Sequence, residues 1–179
     1  MITVYEMTEE KVTIGMMLDP KDVDKKVNVN EIFKETKKKG YTPIRLHEDL
    51  DAIFSIEDKE KTRIRTDGSL FFYNEIIIGD NGDICFYGDT TNEKINEEIL
   101  KYMWDMSKKI REDFNLGNEY KNEISLSLHT ENAIELSEKF NSIVDKFAKT
   151  LLSNYSIETN NDERCLFATI YPTPEKIQF

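Results

Sequence analysis

The residues of this chain that could do chemistry gather in a few short stretches. His47-Glu48-Asp49-Leu50-Asp51 concentrates one of the two histidines and three carboxylates, a donor set suited to a divalent cation. In an extended strand, however, His47, Asp49 and Asp51 share one face at intervals of roughly 7 Å, too far apart to close around one ion without a bend. No metal site is expected there. Gly79-Asp80-Asn81-Gly82-Asp83 has the composition of a calcium loop but lacks the bidentate Glu at the twelfth position, so it reads as a turn. His129 stands beside Thr130 at a strand-to-helix junction and is expected in a capping arrangement rather than as a base. Cys85 and Cys165 have no histidine close in sequence and form neither a C-x-x-C pair nor a secreted-type framework. No nucleophile elbow, phosphate loop or dinucleotide fingerprint occurs, and seven glycines leave little for phosphate cradles. The sequence therefore assigns no catalytic residue, no cofactor and no metal, while a triad assembled from distant residues stays open.

The sharpest positive feature is a pair of arginines among aromatics. Asp67-Gly68 and Asn81-Gly82 each supply the positive φ angles of a type I′ hairpin turn. Two-residue loops fix the register by counting. Arg65 then faces Leu70 and Arg63 faces Phe72, while Ile78 faces Cys85, Ile77 faces Phe86 and Ile76 faces Tyr87. One sheet face carries Ile64, Phe71, Tyr73, Ile77 and Phe86; the other carries Arg63, Arg65, Leu70, Phe72, Asn74, Ile76, Ile78, Cys85 and Tyr87. Large apolar side chains on both faces require a cover for the second. Either C-terminal elements pack over it, or Arg63, Arg65, Phe72 and Tyr87 form a partner-binding surface of the residue types enriched at interface hot spots.

The elements that must position these residues follow from periodicity. Lys11–Leu18 alternates as a strand, and Ile2–Met7 is a candidate partner for it. Asn28 caps a helix with Glu31 in capping-box position, and Gly40 ends it. From Pro43 to Asp58 the apolar residues recur with period two, interrupted at Glu48, which predicts a bend or two strands. Strands at Lys61–Thr66, Ser69–Ile78 and Asp83–Tyr87 follow. A helix is predicted over Thr91–Asp113, with Thr90 and Glu93 as capping box and Ile95, Ile99, Met103, Met106 and Ile110 as its apolar stripe. The polar loop Asn115–Asn122 is the candidate subdomain boundary within a single domain spanning residues 1–179. Glu123–His129 alternates as a half-buried strand, Glu131–Ser153 forms a second long helix, and Leu166–Tyr171 is the last strand. The fold class is α+β: an antiparallel meander with two long helices packed mainly on one face.

The order strand, helix, long strand, hairpin strands and helix across residues 12–111, with Asp83-Ile84-Cys85-Phe86-Tyr87-Gly88 leading into the helix, resembles one repeat of the TATA-binding-protein-like fold. That resemblance implies a meander that runs into a glycine and a long helix, and binding through the exposed sheet face. It carries no functional residue over, and residues 123–179 offer strand, helix and strand in place of a second full repeat.

Charge bears on partners. With 24 Lys and Arg against 35 Asp and Glu, the chain of 179 residues carries a formal −11, and its 10 Phe, 8 Tyr and single Trp are too many aromatics for a disordered acidic chain. Such a field repels phosphate backbones, so duplex nucleic acid is not an expected partner. The one compact basic run, Lys37-Lys38-Lys39, fits a helix C-terminus. A signal-like N-terminus and a membrane-spanning apolar run are both missing, so a cytoplasmic location is expected. The leading expectation is a non-catalytic, acidic protein-binding module, an inhibitor, immunity or anti-defence protein that occupies a partner's basic surface. The second is a small enzyme or ligand-binding domain with a pocket between sheet and helices near His47. The third is a nucleic-acid binder using the Arg63/Arg65 face.

Overall fold

The computed structural model describes residues 11–22, 24–56 and 75–173. Within these residues eight antiparallel strands form one sheet: β1 (Lys11–Leu18), β2 (Tyr41–His47), β3 (Asp51–Ile56), β4 (Ile76–Gly79), β5 (Ile84–Thr91), β6 (Ile124–His129), β7 (Tyr155–Asn161) and β8 (Cys165–Pro172). Their order is β2-β3-β4-β5-β1-β6-β8-β7. Among the described residues three α-helices interrupt them: α1 (Val29–Glu35), α2 (Glu97–Asp113) and α3 (Ser137–Leu151). The fold is thus α+β with an antiparallel sheet.

Alternation decides which side chains are buried. Val12, Ile14, Met16 and Leu18 of β1 point the same way as Ile84 and Phe86 of β5, Ile124, Leu126 and Leu128 of β6, and Leu166, Ala168 and Ile170 of β8. These residues form one apolar cluster with Ile99, Met103 and Ile110 of α2 and Phe140, Val144 and Phe147 of α3. Each fully buried Phe in it, such as Phe86 or Phe147, contributes roughly 2–3 kcal/mol by its removal from water.

Several expectations hold locally. The Asn28 side chain accepts a hydrogen bond from the Glu31 backbone N–H at 3.3 Å, capping α1. Gly40 takes φ +88° as the chain reverses into β2. The period-two run splits into β2 and β3, because Glu48 and Asp49 adopt φ of 49° and 58° in the turn between them. Asn30 Nδ2 donates to Asp49 Oδ1 at 2.8 Å, steadying that strained turn.

Other expectations are corrected. The Asn81-Gly82 hairpin has a three-residue loop, since the Gly79 N–H donates to the Asp83 carbonyl at 3.0 Å and Gly82 alone takes φ +87°. The pairs are therefore Ile78 with Ile84, Ile77 with Cys85 and Ile76 with Phe86. This one-residue slip reverses the faces: Ile76, Ile78 and Phe86 enter the core, while Ile77, Cys85 and Tyr87 lie opposite. The Thr90/Glu93 capping box does not form, because β5 stays paired to β1 as far as Thr91, which is opposite Lys11. Asn96 caps α2 instead, accepting from the Ile99 N–H at 3.2 Å. The second predicted helix is shorter than Glu131–Ser153: a 3₁₀ turn at Ile134–Leu136 precedes α3. Residues 123–179 also contain a strand that polarity concealed, β7, whose pattern Ser156, Glu158, Asn160 and Asn161 fits an exposed edge. The Ile2–Met7 strand and the Asp67-Gly68 hairpin lie outside the described residues.

The loop of residues 115–122 is held to the end of β1: Lys21 N–H donates to the Glu119 carbonyl and Lys121 N–H to the Asp19 carbonyl, both at 2.8 Å. At the C-terminal end of α2, from which this loop leaves, an aromatic group of Tyr41, Phe54 and Phe114 has ring centroids 5.0–5.6 Å apart. The Tyr41 hydroxyl donates to Asp113 Oδ2 at 2.6 Å, and Lys109 Nζ donates to the same oxygen at 2.7 Å.

Candidate functional site

The face of the sheet opposite the core cluster carries a short row of side chains that share a cleft. Gly15 sits at its centre, paired with Tyr87 on β5 and Ser127 on β6. Gly15 is required: a Cβ there would lie 2.5 Å from Ser127 Oγ and 2.7 Å from Tyr87 Cε1. The missing side chain lets the Tyr87 ring lie across β1. A glycine inside a strand commonly marks such a close approach.

Around this centre, Met17, Cys85, Tyr87, His129 and Phe167 line a shallow hollow of about 180 Å³. Met17 is 39% and Phe167 46% exposed. The aromatic rings form a chain with edge-to-face geometry: Tyr87 to His129 spans 6.5 Å between centroids, and His129 to Phe167 spans 6.3 Å. Three strands supply these rings, and β1 contributes the glycine that makes room.

Carboxylate charges act on side chains of the hollow. Burial pushes the Cys85 thiol pKa up, a hydrogen bond from Tyr87 offsets part of that, and the charges of Asp83 and Asp19 push it further. The same Tyr87–Cys85 hydrogen bond, followed by burial and the nearby Glu75, raises the Tyr87 hydroxyl. At the other end burial and Asp162 raise Cys165. Asp83 is itself raised, first by burial and then by Asp19 and Asp51. Among the described residues, the carboxylates Asp19, Asp83, Glu75 and Asp162 thus act on these two thiols and on Tyr87.

Cys165 and His129 are cross-strand neighbours, with Sγ 3.7 Å from Nε2. Nucleophilic chemistry needs a thiolate, and both thiols are shifted toward the protonated, inert form. The hollow thus has a mainly apolar and aromatic lining, with carboxylate charges acting on its two thiols and on Tyr87.

Of the residues singled out from sequence, Tyr87 lies in the hollow, whereas Arg63, Arg65 and Phe72 lie outside the described residues. Ile76 and Ile78, expected on the same face as Tyr87, are in the core. The C-terminal strands do not lie over the Tyr87 face but extend the sheet edge to edge through β6 and β8. His47 is exposed at the β2–β3 hairpin, its Nδ1 3.8 Å from Asp51 Oδ2, while Asp49 is engaged by Asn30. Among the described residues no group of three or more His, Cys, Asp or Glu converges as a metal site. His129 ends β6 on the open face rather than capping a helix. Met17, His129, Cys165 and Phe167 were legible only as strand alternation. The mid-strand Gly15, followed two residues later by an outward-facing Met17, was the available signal.

Comparison of the chain with models of known protein families and with curated protein sequences gives no match. Among the described residues no helix is long and apolar enough to cross a membrane.

Proposed function

We propose that this protein is a non-catalytic binding module that acts by occupying a partner protein's surface, in the manner of an inhibitor, immunity or anti-defence protein. In this reading the two longer helices cover one face of the sheet and leave the other to the partner, the mode of binding that the TATA-binding-protein-like resemblance implies. The observation that carries it is the hollow of Met17, Tyr87, His129 and Phe167, apolar at its centre, with the charges of Asp83, Glu75 and Asp162 acting on Cys85, Tyr87 and Cys165. Aromatic and Met side chains are enriched at the centres of interfaces, and a rim of one sign steers a partner of the other. The complement is an apolar knob surrounded by Lys and Arg. A phosphate backbone would meet carboxylates here, which favours a basic protein over nucleic acid.

Affinity capture from the native cell with the wild type, the double variant Met17→Asp/Phe167→Asp and the helix-side control Ile134→Asp tests this reading. A partner recovered by the wild type and the control, and reduced at least about tenfold by the face variant, is the expected result. Equal recovery of every partner by all three proteins removes this face from consideration.

A further inference from the structure

A cavity of about 630 Å³ shares none of the side chains of the open sheet face. It opens between the C-terminal turns of α2, the end of α3 and the start of β6, and its volume is that of an ordinary small-ligand site. Three cations, Lys108, Arg111 and Lys121, line it against one carboxylate, Glu112. In a chain with an excess of eleven negative charges this is a local reversal of sign.

The pairing pattern sharpens the contrast. Lys11, Lys26, Lys38, Lys109 and Lys149 each have a carboxylate within 4 Å, whereas Lys108, Arg111 and Lys121 make no ion pair among the described residues. Arg111 is nonetheless held in place. Its Nε donates to the Ser107 carbonyl at 3.3 Å, and its guanidinium lies 5.7 Å from the Trp104 ring centroid and 5.1 Å from that of Tyr120. Partial burial disfavours its charge, and a positioned guanidinium with no carboxylate partner among the described residues lines the cavity. Such a fork suits a carboxylate or phosphate bidentately. Leu18, Ile124 and Leu151 give the wall an apolar part, and Asn118 and Asn122 add polar groups to it.

We propose that this cavity binds a small amphiphilic anion, its carboxylate or phosphate-ester head held by Arg111 with Lys108 and Lys121 and its apolar body set against Leu18, Ile124 and Leu151 beside Trp104. The site is separate from the partner-binding face, and neither depends on the other.

Trp104 is the single tryptophan of the chain, so its fluorescence reports on this cavity alone. The test is titration with octanoate and octyl phosphate, with octanamide as the neutral body and acetate and inorganic phosphate as heads without a body. A saturable change with one or both octyl anions is expected, at least about tenfold tighter than with octanamide or either head alone, a difference of one charge-assisted hydrogen bond or a few buried methylenes. The relative strength of octanoate and octyl phosphate identifies the head. Arg111→Gln should weaken binding about tenfold. Lys121→Gln, which alters an exposed side chain and keeps the backbone N–H that bonds Asp19, should weaken it severalfold with an unchanged melting temperature. The proposal is overturned by no saturable change with either octyl anion up to about 10 mM, by equal binding of octanamide or the bare heads, or by a Lys121→Gln protein that binds as the wild type does.

Discussion

Gly15→Ala reads directly on how the open face is built. The new methyl would sit 2.5 Å from Ser127 Oγ and 2.7 Å from Tyr87 Cε1, both closer than real Cβ contacts allow. Ser127 can turn its hydroxyl away about χ1, so the conflict falls on the Tyr87 ring. Overpacking of this kind costs about 1–3 kcal/mol, and the reduced freedom of the unfolded chain returns about 0.4–1 kcal/mol. The net loss is about 1–2 kcal/mol, or roughly 3–6 °C in melting temperature for a chain of this size. In a Tyr87→Ala background the ring is gone, and Gly15→Ala should be neutral or slightly stabilising. Urea unfolding of the wild type, both single variants and the double variant gives the coupling energy between the two positions. Equal costs of Gly15→Ala in the two backgrounds, within about 0.5 kcal/mol, would show that the ring does not lie over Gly15.

Three further outcomes follow. Burial works against the Asp113 carboxylate, yet hydrogen bonds from Lys109 and Tyr41 outweigh it and hold its pKa below the ordinary value. A lowered carboxylate pKa stabilises the fold above the unfolded value near 3.9 and loses that stability as pH falls through the folded value. Asp113→Asn should therefore cost about 1 kcal/mol at neutral pH, a modest figure because the side chain is one-quarter exposed, and urea unfolding should find the two proteins converging in acid. Asn96→Ala should destabilise by about 1 kcal/mol and Glu93→Ala by less than about 0.5 kcal/mol in the same assay, since Asn96 and not the Thr90/Glu93 pair caps α2. On heparin at low salt the protein should flow through; retention that fades as salt rises would favour the nucleic-acid reading instead.

Much of the fold was legible because burial imposes period two on strands and 3.6 on helices. Lys11–Leu18 and Glu123–His129 show the first cleanly, and the stripe of Ile99, Met103 and Ile110 shows the second. What misled was loop chemistry. Asn81-Gly82 signals a tight turn equally well with two or three loop residues, and that single residue decides which way Tyr87 faces. Thr90 and Glu93 have the chemistry of a capping box, but the long ladder between β1 and β5 outweighs it by holding residues 88–91 extended. β7 is polar along most of its length, so no apolar pattern announced it. The open face combines residues from β1, β5, β6 and β8, far apart in sequence, and only the strand order brings Tyr87, His129 and Phe167 together. The same holds for Cys165 and His129, which are neighbours through register alone.

The central claim, that the Gly15-centred face is where a partner docks, is tested most directly by site-specific photocross-linking. A photoreactive phenylalanine analogue placed at Phe167, 46% exposed on that face, is compared with the same analogue at Ile134, 63% exposed near the start of α3. Irradiation in the native cell should give a discrete adduct from position 167 that disappears when Met17→Asp is added, and no such adduct from position 134. Adducts of equal yield from both positions, or an adduct from position 134 alone, would contradict the account.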